Sequence, residues 1–121
     1  MADRVISWYI HKATLANNVA GTNISTEYVL DDDYIPVRCV IRQKEAQAGD
    51  ANIFDINDDG VSIFPSVKPS INQGVLETIW EAFLDTLTYM KKDSVVTLDA
   101  DQISGTVPGA YLSVHLEMDK A

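Results

Sequence analysis

The chain has 121 residues, 46% of them apolar, enough for one complete core and too few for two ordinary domains. Nine Lys and Arg face eighteen Asp and Glu, and the resulting formal charge of −9 repels phosphate backbones and argues against nucleic-acid binding. Cys39 is the only cysteine, so an internal disulfide is excluded, and no apolar run is long enough for a signal peptide or a membrane span; a soluble single domain over residues 1–121 is expected.

Residues 5–15 alternate loosely, are rich in β-branched and aromatic side chains, and end at polar clusters, which predicts a first strand. A short strand near residues 27–30 leads into Asp31-Asp32-Asp33, read as a solvated loop. Over residues 35–44, Val37, Cys39 and Ile41 alternate with Arg38, Val40 and Arg42, the two-residue period of a half-buried strand that starts at Pro36. Cys39 reads there as a small hydrophobe.

The run from Phe54 to Phe64 places alternating residues on both sides of Asn57-Asp58-Asp59-Gly60, a strong hairpin signal with Ile53, Ile56, Val61 and Ile63 as apolar positions. Asp55, Asn57, Asp59 and Gly60 also match positions 1, 3, 5 and 6 of a calcium loop, but the twelfth position is Ser66 rather than glutamate, so the hairpin is favoured. Pro65, Pro69 and Gly74 then punctuate an irregular crossing. Val75, Leu76, Ile79, Trp80, Phe83, Leu84 and Leu87 recur at helical spacing, and pattern alone predicts a helix there.

Alternation returns over residues 95–101, with Val96, Leu98 and Ala100 opposite Val95, Thr97 and Asp99. After a Gly- and Pro-bearing loop at 102–109, residues 111–118 set Leu112, Val114, Leu116 and Met118 inward. Short strands at roughly ten-residue intervals predict an all-β fold, an antiparallel β-sandwich or jelly roll.

No coherent set of acid, base and nucleophile is present, so no enzymatic activity and no cofactor are expected. His11 and His115 read as surface or rim residues with no ligand at metal spacing, and Asp99 and Asp101 fall on the same side of one strand. The apolar surplus in residues 75–90 and 5–10 exceeds what one small sandwich hides. Trp8, Tyr9, Ile79, Trp80, Phe83 and Tyr89 are accordingly the candidate interface residues, with residues 1–15 as a candidate arm for strand addition.

Several stretches in order, Tyr34-Ile35-Pro36-Val37-Arg38, residues 55–64, residues 68–74, residues 92–99 and residues 102–114, resemble a small β-sandwich module of tailed-bacteriophage virion proteins. The likeness spans about residues 24 to 118. It implies a virion structural protein, made in the host cytoplasm and carried on the capsid surface. The expected role is a decoration, or cement, protein that self-associates as a trimer and clamps the major capsid protein. It also implies an extended rather than helical course for residues 79–84. The alternative is a receptor- or glycan-binding module of a tail or head fibre, with loops at residues 31–34 and 102–109 as contacts. A chain that opens on its own methionine and carries no coiled-coil shaft favours the decoration role.

Overall fold

A computed structural model of the chain describes residues 2–10, 24–46, 49–104 and 111–121. Among these residues there are nine strands and no helix: β1 (Arg4–Ile10), β2 (Tyr28–Val29), β3 (Tyr34–Arg42), β4 (Asn52–Asp58), β5 (Val61–Ser62), β6 (Ser70–Ile71), β7 (Glu77–Trp80), β8 (Val95–Gln102) and β9 (Leu112–Lys120). The expectations for residues 11–15 and for the end of the 102–109 loop fall outside the described residues.

The strands form two antiparallel sheets packed face to face. One runs β1-β9-β3-β7, the other β2-β8-β4-β5, with β6 also paired to β4. The pairings nest: β1 with β9, β2 with β8, β3 with β7 and β4 with β5. A long antiparallel ribbon rolled on itself gives that order, and the result is a jelly roll with β6 as an addition. The all-β sandwich expected from the sequence is the observed fold.

Alternation places one face of each sheet in the core. Ile6, Trp8 and Ile10 of β1, Leu112, Val114, Leu116 and Met118 of β9, Phe54 and Ile56 of β4, and Val96, Leu98 and Ala100 of β8 are all buried together. At about 25 cal/mol per Å² of apolar surface removed from water, this shared layer is the main stabilising term. The hairpin between β4 and β5 turns through Asp59 and Gly60, whose φ angles of 50° and 82° are the paired positive values of a type I′ turn. Val61, at the hairpin tip, is exposed rather than inward, while Ile56 and Ile63 reach the core as expected.

Two sequence expectations need correction. In β3 the register with β9 skips from Pro36 to Arg38, so Val37 is the extra residue of a bulge and points outward, while Tyr34 and Pro36 on one side of it, and Cys39 and Ile41 on the other, point inward. A bulge shifts the period by one residue, which alternation counted straight through Pro36 does not reveal. The segment with helical spacing is not a helix: Glu77–Trp80 is an edge strand whose residues pair with Arg42 to Cys39, and residues 81–89 follow without regular structure. Ladder hydrogen bonds to β3 supply what the helix would have supplied internally, and tertiary context overrides the local period. The extended course implied for residues 79–84 is therefore met at Ile79 and Trp80. Phe83 and Leu87 keep their spacing only because they cover the open rim of the sandwich, where Phe83 stacks on Phe64 at 5.4 Å.

Two carbonyls on the outer edge of β1 are capped. The Ser7 carbonyl accepts a 2.5 Å hydrogen bond from the Tyr28 hydroxyl, and the Tyr9 carbonyl a 3.4 Å bond from Ser25 Oγ. Such side-chain caps use up acceptors that would otherwise template a further strand. Of the segment expected as an arm at residues 1–15, residues 4–10 are paired along their whole length with β9 as part of the sandwich, and residues 11–15 lie outside the described residues.

Candidate functional site

The structure separates the six candidate interface residues. Trp8 is wholly buried: its Nε1 donates to the Thr26 carbonyl at 2.6 Å and its ring meets Tyr28 edge-on at 5.5 Å, so it is a core residue and not an interface residue. Trp80 and Phe83 lie half-buried against the core at the β7 rim, and Trp80 Nε1 donates to the Ala82 carbonyl. Tyr89 is exposed beside the buried Met90, which bridges to Tyr34. Tyr9, 69% exposed, and Ile79, 47% exposed, both stand on the outer face of the β1-β9-β3-β7 sheet.

That outer face is built row by row from the strand registers. Ser7, His115, Val40 and Ile79 form a row across all four strands; Tyr9, Ser113, Arg42 and Glu77 form the next, and Val5, Glu117 and Arg38 lie on the other side. His115 sits in the centre, with Nδ1 2.7 Å from Ser7 Oγ, Nε2 2.8 Å from Ser113 Oγ, and the Tyr9 ring edge-on at 5.9 Å. Burial, then the Arg42 charge, hold its pKa below the usual imidazole value, so the ring is neutral near neutrality. Arg38 Nε and Arg42 Nε bond Glu117 and Glu77, each at 2.7 Å.

A serine hydroxyl on an imidazole invites comparison with nucleophilic catalysis. Here the second ring nitrogen meets Ser113 rather than an orienting carboxylate, and the pair lies on an open sheet face. The row ties β1 to β9 across the outer face. Sequence reading placed His115 at a rim and missed both serines as its partners; the i, i+2 spacing of Ser113 and His115 was a legible hint, whereas Ser7 is brought in only by pairing of β1 with β9.

On the outer face of the other sheet, Asp55 and Asp99 are cross-strand neighbours, and Asp101 lies beyond Asp99 on the same side. Lys68 reaches over this group, 3.7 Å from Asp55 Oδ2 and bonded at 2.9 Å to Ser62 Oγ, which itself donates to Asp55 Oδ1. Asn57 Nδ2 donates to Asp99 Oδ2 at 2.7 Å. Asp55 and Asn57 therefore lie along one strand, Asp55 held by Ser62 and Lys68 and the Asn57 amide nitrogen by Asp99, and Asp59 accepts from the Val95 N–H, so the three do not wrap a common centre as a calcium loop requires. Burial, then the charges of Asp55 and Asp99, raise the Asp101 carboxyl above its ordinary value of 3.8. The folded chain thus binds this proton more tightly than the unfolded chain, and ionised Asp101 costs stability once the pH passes its raised value. Asp101→Asn is expected to raise the melting temperature at about pH 7. Calorimetry should show the gain shrinking to nothing as the pH falls below 3.8.

The acidic triplet is not simply solvated. Asp31 accepts from Arg4 and from the Tyr34 hydroxyl, Asp32 lies 3.9 Å from Lys120 Nζ, and Asp33 accepts from the Lys92 N–H. The Tyr34 hydrogen bond, with help from Arg4, holds the Asp31 carboxyl below its usual value. The loop ties β1, β9 and the 90–94 turn together. Cys39 is enclosed, and desolvation pushes its thiol up to about 12, where thiolate chemistry is closed.

Comparison with protein-family models and with curated proteins gives no match.

Proposed function

We propose that this chain is a structural protein of a tailed-phage particle, a decoration protein that self-associates and adds its binding free energy to the capsid shell. The observation that carries the reading is the strand order β1-β9-β3-β7 over β2-β8-β4-β5, a jelly-roll architecture of the kind viral capsid domains use. It is argued by analogy of fold, together with the resemblance of residues 24–118 to virion modules. A protein that binds the assembled shell and not its dissociated subunits stabilises the shell by mass action, so no reacting group is needed.

The receptor-binding alternative would place glycan contacts on residues 31–34 and 102–109, of which 105–109 lie outside the described residues. Asp31 and Asp33 already bond within the chain, which favours the decoration reading. The test is to add purified chain back to particles that lack it. Particles with the chain should melt at a higher temperature, by an increment that grows with the logarithm of its concentration. Equal melting of bare and supplemented particles, or saturable binding of the chain to host glycans instead, would reject it.

A further inference from the structure

Of the two edges of the β1-β9-β3-β7 sheet, β1 has two carbonyls capped, whereas β7 is open. The Gln43 N–H bonds the Leu76 carbonyl at 3.0 Å, and antiparallel pairs alternate, so Leu76, Thr78 and Trp80 turn their backbone groups to β3 while Glu77 and Ile79 turn theirs away from it. No bond from another described residue reaches those outward groups. The usual safeguards of an edge are missing as well. β7 carries no Lys, Pro or bulge, its one charge at Glu77 is engaged by Arg42, and Leu76 and Ile79 stand exposed. Past Trp80 the chain leaves β3, and residues 81–86 with Pro65 line an open groove of about 570 Å³. Phe83 and Leu84 supply its apolar side, the exposed Glu81 and Asp85 its charge. Among the described residues neither carboxylate has an ion pair: Glu81 acts on Arg38 only through space, and Arg38 is bonded to Glu117.

We propose that β7 accepts an extended, cationic segment of a partner protein by strand addition, with lysines or arginines alternating with aliphatic residues and reaching Glu81 and Asp85 in the groove. In this mode main-chain bonds to the outward groups of Glu77 and Ile79 give affinity, and alternate side chains are read by what borders the edge. Aliphatic residues on one side of the added strand meet Ile79, and the charges of the groove select the sign of the rest. Residues 75–90 hold three carboxylates, Glu77, Glu81 and Asp85, and no Lys or Arg, so the electrostatic preference is for a cation. A second copy is the wrong occupant on the same ground. It carries the same formal charge of −9, and pairing edge to edge would bring two such carboxylate runs together. The inference is independent of the decoration reading, since it fixes the chemistry of a partner and not the particle.

Fluorescence anisotropy of a labelled synthetic peptide of alternating lysine and valine, titrated with the full chain, tests this. The peptide should bind saturably, with an affinity that falls as salt rises. Ile79→Pro removes an outward donor and no bond to β3, so it should weaken binding by at least about tenfold in Kd while circular dichroism shows the wild-type fold. Glu81→Lys together with Asp85→Lys, both at exposed positions, should weaken it by at least about tenfold as well. The same peptide methylated on its backbone nitrogens should not bind, because it cannot form the ladder. If Ile79→Pro disturbs the fold, the charge variant and the methylated peptide still decide. A flat titration, equal binding of the methylated peptide, or binding that survives both sets of substitutions overturns the proposal. So does sedimentation equilibrium showing a self-associated chain that Ile79→Pro returns to monomers, which would give this edge to a second copy. The particle assay reads the other claim separately. A chain that binds the peptide without stabilising shells defeats only the decoration reading, and one that stabilises them without binding the peptide defeats only the assignment of this edge.

Discussion

Trp8→Ala lowers the thermal unfolding midpoint by well over ten degrees and leaves any association of the surviving folded chain unchanged. Trp8 has no exposed surface, packs in the main core and is anchored by its Nε1 bond to Thr26. Truncating a buried tryptophan removes both the transfer free energy of the ring and the contacts around the cavity left behind, together about 3–5 kcal/mol. For a domain of this size one kcal/mol moves the midpoint by roughly 4 °C, so the expected drop is about 12–20 °C. That is a large part of a typical stability of about 5–15 kcal/mol, and the variant is expected to be partly unfolded at growth temperature. Trp8→Phe refills most of the volume and should cost much less, since the exposed Thr26 can turn its carbonyl to water. Differential scanning calorimetry of the two variants decides the matter. A normal midpoint for Trp8→Ala, with loss of self-association instead, would return Trp8 to the interface.

The second large effect is expected at Lys68, whose ammonium lies over Asp55 with side-chain exposures of only 21% and 12% for the two. Lys68→Met keeps the aliphatic stem but leaves a carboxylate group of Asp55, Asp99 and Asp101 without this cation. Breaking a fully buried pair costs about 3–5 kcal/mol, and the residual solvent access at this site brings the expectation down to about 2 kcal/mol, or roughly 8 °C. The partner substitution separates charge from packing. Asp55→Asn keeps an acceptor for the Ser62 hydroxyl and removes the stranded charge, so Lys68→Met with Asp55→Asn should recover most of the loss. Strictly additive destabilisation in the double variant would show that the ammonium acts independently of the Asp55 charge, as through its bond to Ser62 Oγ.

What the sequence made legible was whatever depends on neighbours along the chain. Alternation marked β8 and β9 with the correct inward residues, and Asp59-Gly60 marked the hairpin because few other pairs tolerate two consecutive positive φ angles. The inserted residue at Val37 was hidden, since a bulge is set by the partner strand and not by the bulged one. Residues 75–87 misled for a related reason: large side chains spaced to cover a rim mimic the stripe of a helix, and only the pairing with β3 distinguishes the two. Trp8 and Tyr9 were read as one patch although adjacent strand residues face opposite sides, and the hidden ring is the one that alternation with Ile6 and Ile10 would have assigned to the core. The wiring of the outer faces, Ser7 to His115 across 108 positions and Asn57 to Asp99 across 42, follows from register alone and leaves no local trace.

The nested pairing carries a consequence for biosynthesis. β9 lies between β1 and β3 in the middle of its sheet, so the strand translated last among these holds apart two that emerge early. Until the ribosome has delivered it, β1 has no partner strand and β3 has only β7, so this half of the sandwich cannot close. Maturation is thus gated by delivery of β9 rather than proceeding segment by segment, and nascent chains stalled before Leu112 should be sticky, protease-sensitive clients of chaperones.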